Sequence, residues 1–235
     1  MDAMAMPGGW TMAGSMSWLP ACGQTWIGAA ASFLGMWTVM MAAMMLPSLL
    51  PMLARYRRSV GRAGAFSSAL LTIPVAAGYL MIWTLLGVAV YPLGTAIVAA
   101  TMRYPGLERA VPMAIGLVVL TVGALQLTPW KAHHLACCRG GSCHGAPRGG
   151  PAPASNTFTA FRHGMRLGID CSQCCAGLTA LLLVSGIMDV PAMAGVTAGI
   201  TLERLAPAGE RIARITGVVL IGAGSFLTLR AAGLG

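Results

Sequence analysis

The chain has 235 residues, of which 57% are hydrophobic and 9% are charged, and its formal net charge is +9. Soluble domains carry about 25% charged residues, so this composition excludes an ordinary soluble domain and predicts an all-α, polytopic transmembrane helix bundle. The basic residues lie in short connections between apolar segments rather than on one face interleaved with aromatics, so nucleic acid is not an expected partner.

Apolar segments of transmembrane length recur along the chain. A helix needs about 20 apolar residues to cross about 30 Å of hydrocarbon. No charged residue lies between Asp2 and Arg55, or between Arg62 and Arg103. We predict about six spans, at 27–53, 67–98, 111–130, 170–187, 190–206 and 212–232.

The basic residues also sort the connections between these spans by side. Twelve of the 15 Lys and Arg residues fall in the first, third and fifth connections. Because loops rich in Lys and Arg stay in the cytoplasm, we expect a bacterial inner-membrane protein with its N-terminus outside. Residues 1–26 then form a Met-rich extracytoplasmic tail without the features of a signal peptide. Residues 27–235 form the transmembrane helical domain, with a cytoplasmic Cys/His-rich loop at 131–169 that is expected to be mobile over 139–157.

Methionine is concentrated at the start of the chain, where 11 of the 17 Met residues fall within residues 1–52. In the first span Met36, Met40 and Met44 recur every four residues and share a helix face, with Met41 and Met45 in a second row beside them. Thioethers are soft, uncharged ligands that suit Cu(I), so these rows are candidate metal ligands. The alternative is that methionine fills space between helices as a flexible apolar side chain.

Cysteine and histidine are concentrated in a second region, since all four His and six of the seven Cys lie within residues 133–175. Cys171, Cys174 and Cys175 have the i, i+3, i+4 spacing that places three thiols on one helix face. We expect them in the first turn of the fourth span after Asp170, where the helix dipole favours the thiolate that binds metal.

A second set of soft ligands precedes that helix. Cys137, Cys138, Cys143 and His144 form a Cys-Cys-x4-Cys-His segment, with His133 and His134 a turn upstream. Thiolates select Cu(I), zinc or iron–sulfur chemistry, and in a reducing cytoplasm a disulfide framework is the weaker interpretation. Packing, palmitoylation or a thiol redox pair are alternative roles for paired cysteines.

The remaining polar residues of the spans have structural interpretations. As one helix, 170–206 would be about 55 Å long, so we predict a hairpin broken at Gly186–Pro191 with Asp189 as the N-cap of its second helix. Asp170 is expected to cap a helix as well, and Gln126 to hydrogen-bond across helices. We expect Glu203 to pair with a nearby arginine (Arg204, Arg211 or Arg214), and Pro74 or Pro92 to kink or end the second span.

Three blocks of sequence resemble a bacterial family of predicted metal-binding integral membrane proteins, a domain of unknown function. They are MWTVMMAAMMLPSLLPML at 36–53, GALQLTPWKAHHLACC at 123–138, and the segment at 163–207 that contains IDCSQCC. The resemblance implies a metal held by the Met residues of 36–45 and by Cys171, Cys174 and Cys175. The chain departs from the family in lacking an expected N-terminal hydrophobic helix. Its Cys–His segment at 137–144 is also denser, so no ligand is carried over there.

These observations predict a membrane protein that binds a soft metal ion, most favourably Cu(I) with zinc as an alternative, and transports or delivers it across the bilayer. The tail would collect the ion, the methionine rows would pass it on, and the Cys–His cluster would receive it. One alternative is a non-transporting metal chaperone or assembly subunit that serves a metallochaperone or partner membrane protein. A membrane thiol oxidoreductase is another alternative, although no enzymatic reaction is supported by the sequence.

Overall fold

The computed structural model describes residues 23, 25–60, 65–140, 156–186 and 189–233, which contain seven α-helices and no strand. The predicted all-α class is confirmed. The N-terminal tail methionines, Cys22, Cys143 and His144 lie outside the described residues. The helices in chain order are α1 (Trp26–Val60), α2 (Ala65–Arg103), α3 (Pro105–Gln126), α4 (Pro129–Gly140), α5 (Thr157–Ser185), α6 (Val190–Leu205) and α7 (Gly209–Ala231).

Four segments of the described chain are long and apolar enough to cross a membrane, namely Trp26–Leu50, Thr72–Arg103, Thr157–Ser185 and Gly209–Ala231. A fifth crossing is possible if α3 and α4, which meet at a bend of 67°, form one broken span. α6 has 16 residues and is about 24 Å long, shorter than the roughly 30 Å of hydrocarbon. The predicted count of six spans is therefore not confirmed.

The predicted break between the helices that became α5 and α6 is confirmed. α5 ends at Ser185 before Gly186, whose φ of +112° a residue with a Cβ rarely adopts. α6 begins after Asp189, whose carboxylate accepts a hydrogen bond from the Ala192 backbone N–H at 3.3 Å, as predicted for an N-cap. α6 then returns antiparallel to α5 and carries its C-terminal residues back to the level of the α5 cysteines.

α1 and α2 pack antiparallel through large aromatic side chains. The indole Nε1 of Trp37 donates to the Trp83 carbonyl at 2.9 Å, and the Phe33 and Tyr91 ring centroids are 5.1 Å apart. Pro74 and Pro92 both lie inside α2, so neither ends the helix. This aromatic packing fixes the register of α1, and hence the level at which its methionines meet the rest of the core.

α5 packs parallel to α2 at a distance that only glycine permits. A Cβ at Gly164 would overlap the backbone carbonyl of Val75, and one at Gly78 would overlap that of Phe161. α3 and α7 approach each other in the same way through Gly123 and Gly217. These glycines are therefore close-packing residues, since small residues let membrane helices approach closely.

Large apolar side chains also remain on the outside of the bundle. On α7, Ile215, Val218, Val219 and Phe226 are each more than 60% exposed. A soluble protein rarely leaves a continuous apolar face of this kind in water. The helix lengths and this outward-facing surface are together compatible with a membrane protein.

Candidate metal centre

The three cysteines of α5 lie in the middle of the helix and face the core. α5 begins at Thr157, where the Asn156 carboxamide oxygen accepts a hydrogen bond from the Thr159 backbone N–H at 2.9 Å. Cys171, Cys174 and Cys175 are 0%, 2% and 1% exposed, so the predicted shared face is confirmed.

The predicted start of this helix, by contrast, is wrong. Asp170 lies in the helix interior rather than at a cap, and the helix dipole at an N-terminus does not act on these thiols. Residues 157–169 contain Arg162, His163 and Arg166, which suggested a polar connection, but they contain no proline and propagate the helix. The described parts of the predicted 131–169 loop, 131–140 and 156–169, are helical apart from Asn156.

The methionine rows of α1 face the same core as these thiols. Met40, Met41, Met44 and Met45 are buried, and Met36 is partly buried against them. Each turn of α1 over this stretch therefore presents thioether sulfur to the interior rather than to lipid.

Met45 joins the two clusters that the sequence presented separately. Its Sδ lies 4.0 Å from Cys171 Sγ, and Cys171 Sγ lies 4.0 Å from Cys175 Sγ. With metal–sulfur bonds of about 2.3 Å, three sulfurs in a trigonal plane stand about 4.0 Å apart. Met45, Cys171 and Cys175 form what we call the sulfur site, and both distances from Cys171 fit a single three-coordinate ion.

Two polar side chains from other helices contact the central sulfur. Arg204 Nη1 donates to Cys171 Sγ at 2.9 Å, and the Tyr79 hydroxyl lies 3.0 Å from the same atom. Both residues are buried, at 7% and 1% exposure. A guanidinium beside a thiol stabilises the thiolate, which is the form that binds metal.

Sequence reasoning missed both of these contacts. Arg204 stands next to Glu203 near a predicted helix end, where it was interpreted as a local ion-pair partner. Tyr79 gave no signal, because one tyrosine in an apolar helix is common. Arg204 lies in the last turn of an apolar helix of only 16 residues, and this position is the feature that could have indicated its burial.

A buried ion pair lies beside the sulfur site. Lys131 Nζ is 2.8 Å from Glu203 Oε2 and donates to the Cys174 carbonyl at 2.7 Å. Gln126 Nε2 donates to Glu203 Oε1 at 2.7 Å, which confirms the predicted bond across helices. The prediction that Glu203 pairs with Arg204, Arg211 or Arg214 is wrong. The bend between α3 and α4 turns Lys131 into the bundle, and Arg204 is directed at Cys171 instead.

α4 contributes one free thiol to this core. Cys138 Sγ is buried and donates to the Asp170 carbonyl at 3.3 Å, one helical turn before Cys174. Cys137 Sγ lies 3.7 Å from His133 Nε2 and is disulfide-bonded. Of the upstream cysteines that the structure describes, Cys138 is therefore the one whose free thiol faces α5.

The sulfur site depends on its methionine, which becomes clear from the other ligand types in the part of the chain that the structure describes. Within those residues, no group of three or more His, Cys, Asp or Glu side chains could hold a metal ion. The sulfur site differs from such groups because its third member is a thioether. It therefore offers two thiols and one neutral soft ligand, the donor type that suits Cu(I).

Comparison with protein families gives a match over most of the chain. Residues 34–227 match the family described as "PpoB2: Copper chaperone", and this range contains every residue of the sulfur site and its polar neighbours. No curated protein and no solved structure matches the chain significantly.

Proposed function

The chain belongs to the PpoB2 copper chaperone family, and from that membership we propose that it is a membrane-embedded Cu(I) chaperone. It binds the ion at Met45, Cys171 and Cys175 and delivers it to a partner protein, either a metallochaperone or another membrane protein. The observation that carries the proposal is the position of Cys171 Sγ, 4.0 Å from both of the other sulfurs.

The donor set supports Cu(I) over zinc as cargo. Structural zinc takes four tetrahedral N, S or O ligands, and a thioether is not among its usual donors. Two thiolates and a thioether instead match the soft, low-coordinate preference of Cu(I). Burial of all three sulfurs also excludes water, which protects the reduced ion from oxidation.

The surroundings of the sulfur site suggest a route for release. Cys174 lies next to Cys175 in α5, and the Cys138 thiol of α4 donates to the Asp170 carbonyl one turn before Cys174, so two further thiols adjoin the sulfur site. A cavity of about 350 Å³ between α4 and α5 is lined by Trp130, Lys131, Gln173 and Cys174, among others. We propose that copper passes from the sulfur site to Cys174 and Cys138 before it leaves the protein at this cavity.

Transport across the bilayer is a second candidate function. The methionine rows favour it, because buried thioethers lie along α1 up to Met45. If the protein is a transporter, it lies in the bacterial inner membrane with its N-terminus outside. The thioethers of α1 then pass the ion inward to thiolates, which hold it more tightly. The two candidates share the sulfur site and differ in whether the ion crosses.

The binding test measures copper by mass spectrometry on purified protein kept reduced. We expect near-equimolar copper in the wild type and a loss of copper in Cys171→Ser and Cys175→Ser. Met113→Leu, a methionine exchange at an exposed position of α3, is the matched control and should retain copper. A wild type that binds no copper, or that holds zinc instead, contradicts the proposal.

Flux and transfer assays then separate the candidate functions. A chaperone transfers Cu(I) to a chelator or acceptor from detergent-solubilised protein, yet gives no accumulation in sealed vesicles. Accumulation that depends on Met40 and Met44 supports transport instead. Thiol oxidation activity in metal-free protein would point to the oxidoreductase alternative.

A further inference from the structure

The two thiols of the sulfur site have different neighbours. The Tyr79 hydroxyl lies 3.0 Å from Cys171 Sγ, and Arg204 Nη1 donates to the same sulfur at 2.9 Å. Cys175 Sγ has Cys171 Sγ at 4.0 Å, and within the described residues no side-chain nitrogen or oxygen contacts it. Both thiols are at most 1% exposed, so water does not even out this difference. One of two chemically identical ligands therefore has strong hydrogen-bond donors at its sulfur.

The packing of α2 against α5 holds the Tyr79 hydroxyl at this sulfur. Gly168 lies about a turn before Cys171, and a Cβ there would be 3.1 Å from the Tyr79 carbonyl, so the two helices approach closely at this level. A metal-bound cysteine is a thiolate and has no proton to give. Once Cys171 binds an ion, the hydroxyl must therefore be the donor in its contact with the sulfur.

A hydrogen-bond donor at a metal-bound thiolate favours its dissociation from the metal. Hydrogen bonds to an ionised group are about twice as strong as those between neutral groups. As the bond between the ion and the Cys171 sulfur lengthens, negative charge returns to the sulfur and the bond from the Tyr79 hydroxyl becomes stronger. Among the described side chains, no such donor stabilises a departing Cys175. The barrier to dissociation should consequently be lower at Cys171 than at Cys175.

We propose that Tyr79 makes Cys171 the ligand that releases Cu(I) first, while Cys175 holds the ion until the neighbouring Cys174 binds it. In this exchange the bond from copper to the Cys171 sulfur breaks and one to the Cys174 sulfur forms. The proton of the Cys174 thiol passes to Cys171, and copper stays Cu(I). The inference rests on the proposed function, because it assigns the order of release from the same site. Tyr79 is here a positioning residue rather than a ligand.

The test measures transfer of Cu(I) from loaded, full-length protein in detergent to a chromophoric Cu(I) chelator by stopped flow. The rate constant at saturating chelator reports the opening of the site. Tyr79→Phe removes the hydroxyl and keeps the ring, so we expect this rate constant to fall about tenfold while the copper content per chain is unchanged. Loss of local structure would loosen the site and raise the rate, so the direction of the change separates the two effects. A rate equal to or above that of the wild type overturns the inference.

Tyr91→Phe is the matched control. It makes the same exchange in α2 about three turns from Tyr79, where the Tyr91 ring centroid lies 5.1 Å from that of Phe33. The transfer rate of Tyr91→Phe should equal that of the wild type. Equal slowing in both variants would show that the loss of a hydroxyl from α2 acts through packing, and would contradict the role of Tyr79.

A third variant covers the case in which Tyr79→Phe does not fold. Replacing Tyr79 with 3-fluorotyrosine keeps the hydroxyl and makes it a more acidic, stronger donor, so transfer should be faster than in the wild type. Unchanged or slower transfer would overturn the inference. A wild type that binds no Cu(I) refutes the proposed function and the inference with it, whereas a loaded wild type whose transfer rate neither variant changes refutes the role of Tyr79 alone.

Discussion

The sulfur atoms of Met45 and Cys171 lie 4.0 Å apart, although 126 residues separate them in the chain. Met45 is the last of the five methionines between 36 and 45, and Cys171 is the first of three cysteines in α5. Their contact joins thioethers and thiols in one buried set. Since the two residues lie on different helices, the contact depends on how α1 and α5 are placed in the core, where each of them packs against α2 and α6.

Replacing Met45 tests whether its thioether completes the sulfur site. Met45→Leu keeps the volume and burial and removes one soft donor, so we expect Cu(I) affinity to fall roughly tenfold, about 1.4 kcal/mol. Competition with a Cu(I) chelator measures this, and X-ray absorption should show one fewer sulfur neighbour. Met113→Leu on α3 is the control. Unchanged affinity in Met45→Leu would leave only the two thiols as ligands.

Cys174 is expected to act in transfer rather than in binding. Its carbonyl accepts a hydrogen bond from Lys131, and the Cys138 thiol contacts α5 one turn before it, whereas Met45 contacts Cys171. Cys174→Ser should therefore retain copper at the sulfur site and release it more slowly to an acceptor. Stopped-flow transfer and metal content, measured on the same preparation, separate these effects, with Cys175→Ser as the comparison. If Cys174→Ser loses copper as fully as Cys175→Ser, the assignment of ligands is wrong.

Because Lys131 and Glu203 form a buried ion pair, removing one of the two charges should cost more stability than removing both. Both side chains are at most 5% exposed, so Lys131→Met leaves a buried carboxylate without its cation. We expect a loss of about 3–5 kcal/mol in the free energy of unfolding. The double variant Lys131→Met/Glu203→Gln removes both charges and should recover much of it. Helix content against denaturant gives both values, and a single variant as stable as wild type would show that the pair contributes little.

Replacing Gly164 tests how closely α2 and α5 pack. A Cβ there would overlap the Val75 carbonyl, so Gly164→Ala should destabilise the bundle by about 1–3 kcal/mol. Gly195 in α6 has open space around it, and Gly195→Ala should be neutral or up to about 1 kcal/mol more stable. Thermal unfolding of both variants in the same detergent makes the comparison. Equal stability of the two would mean that α2 and α5 do not pack this closely.

The sequence by itself determined the helical class, the apolar segments and the candidate ligands for a soft metal. These follow from composition and periodicity, because hydrocarbon demands long apolar helices and because spacing of three and four places side chains on one face. The Asp189 cap was also accessible, since it depends on a local rule. That Gln126 bonds across helices was accessible because a polar side chain in an apolar helix needs a partner, although the sequence did not identify that partner as Glu203.

Only the tertiary structure decided which of the soft ligands meet. The helix start at Thr157, the bend before α4 and the return of α6 depend on packing between distant segments, and no local pattern encodes them. Those three features bring Arg204 to Cys171, Lys131 to Glu203 and Met45 to the thiols. The sequence specifies the residue types, whereas the ion pairs and the distances between sulfur atoms exist only after the helices have packed.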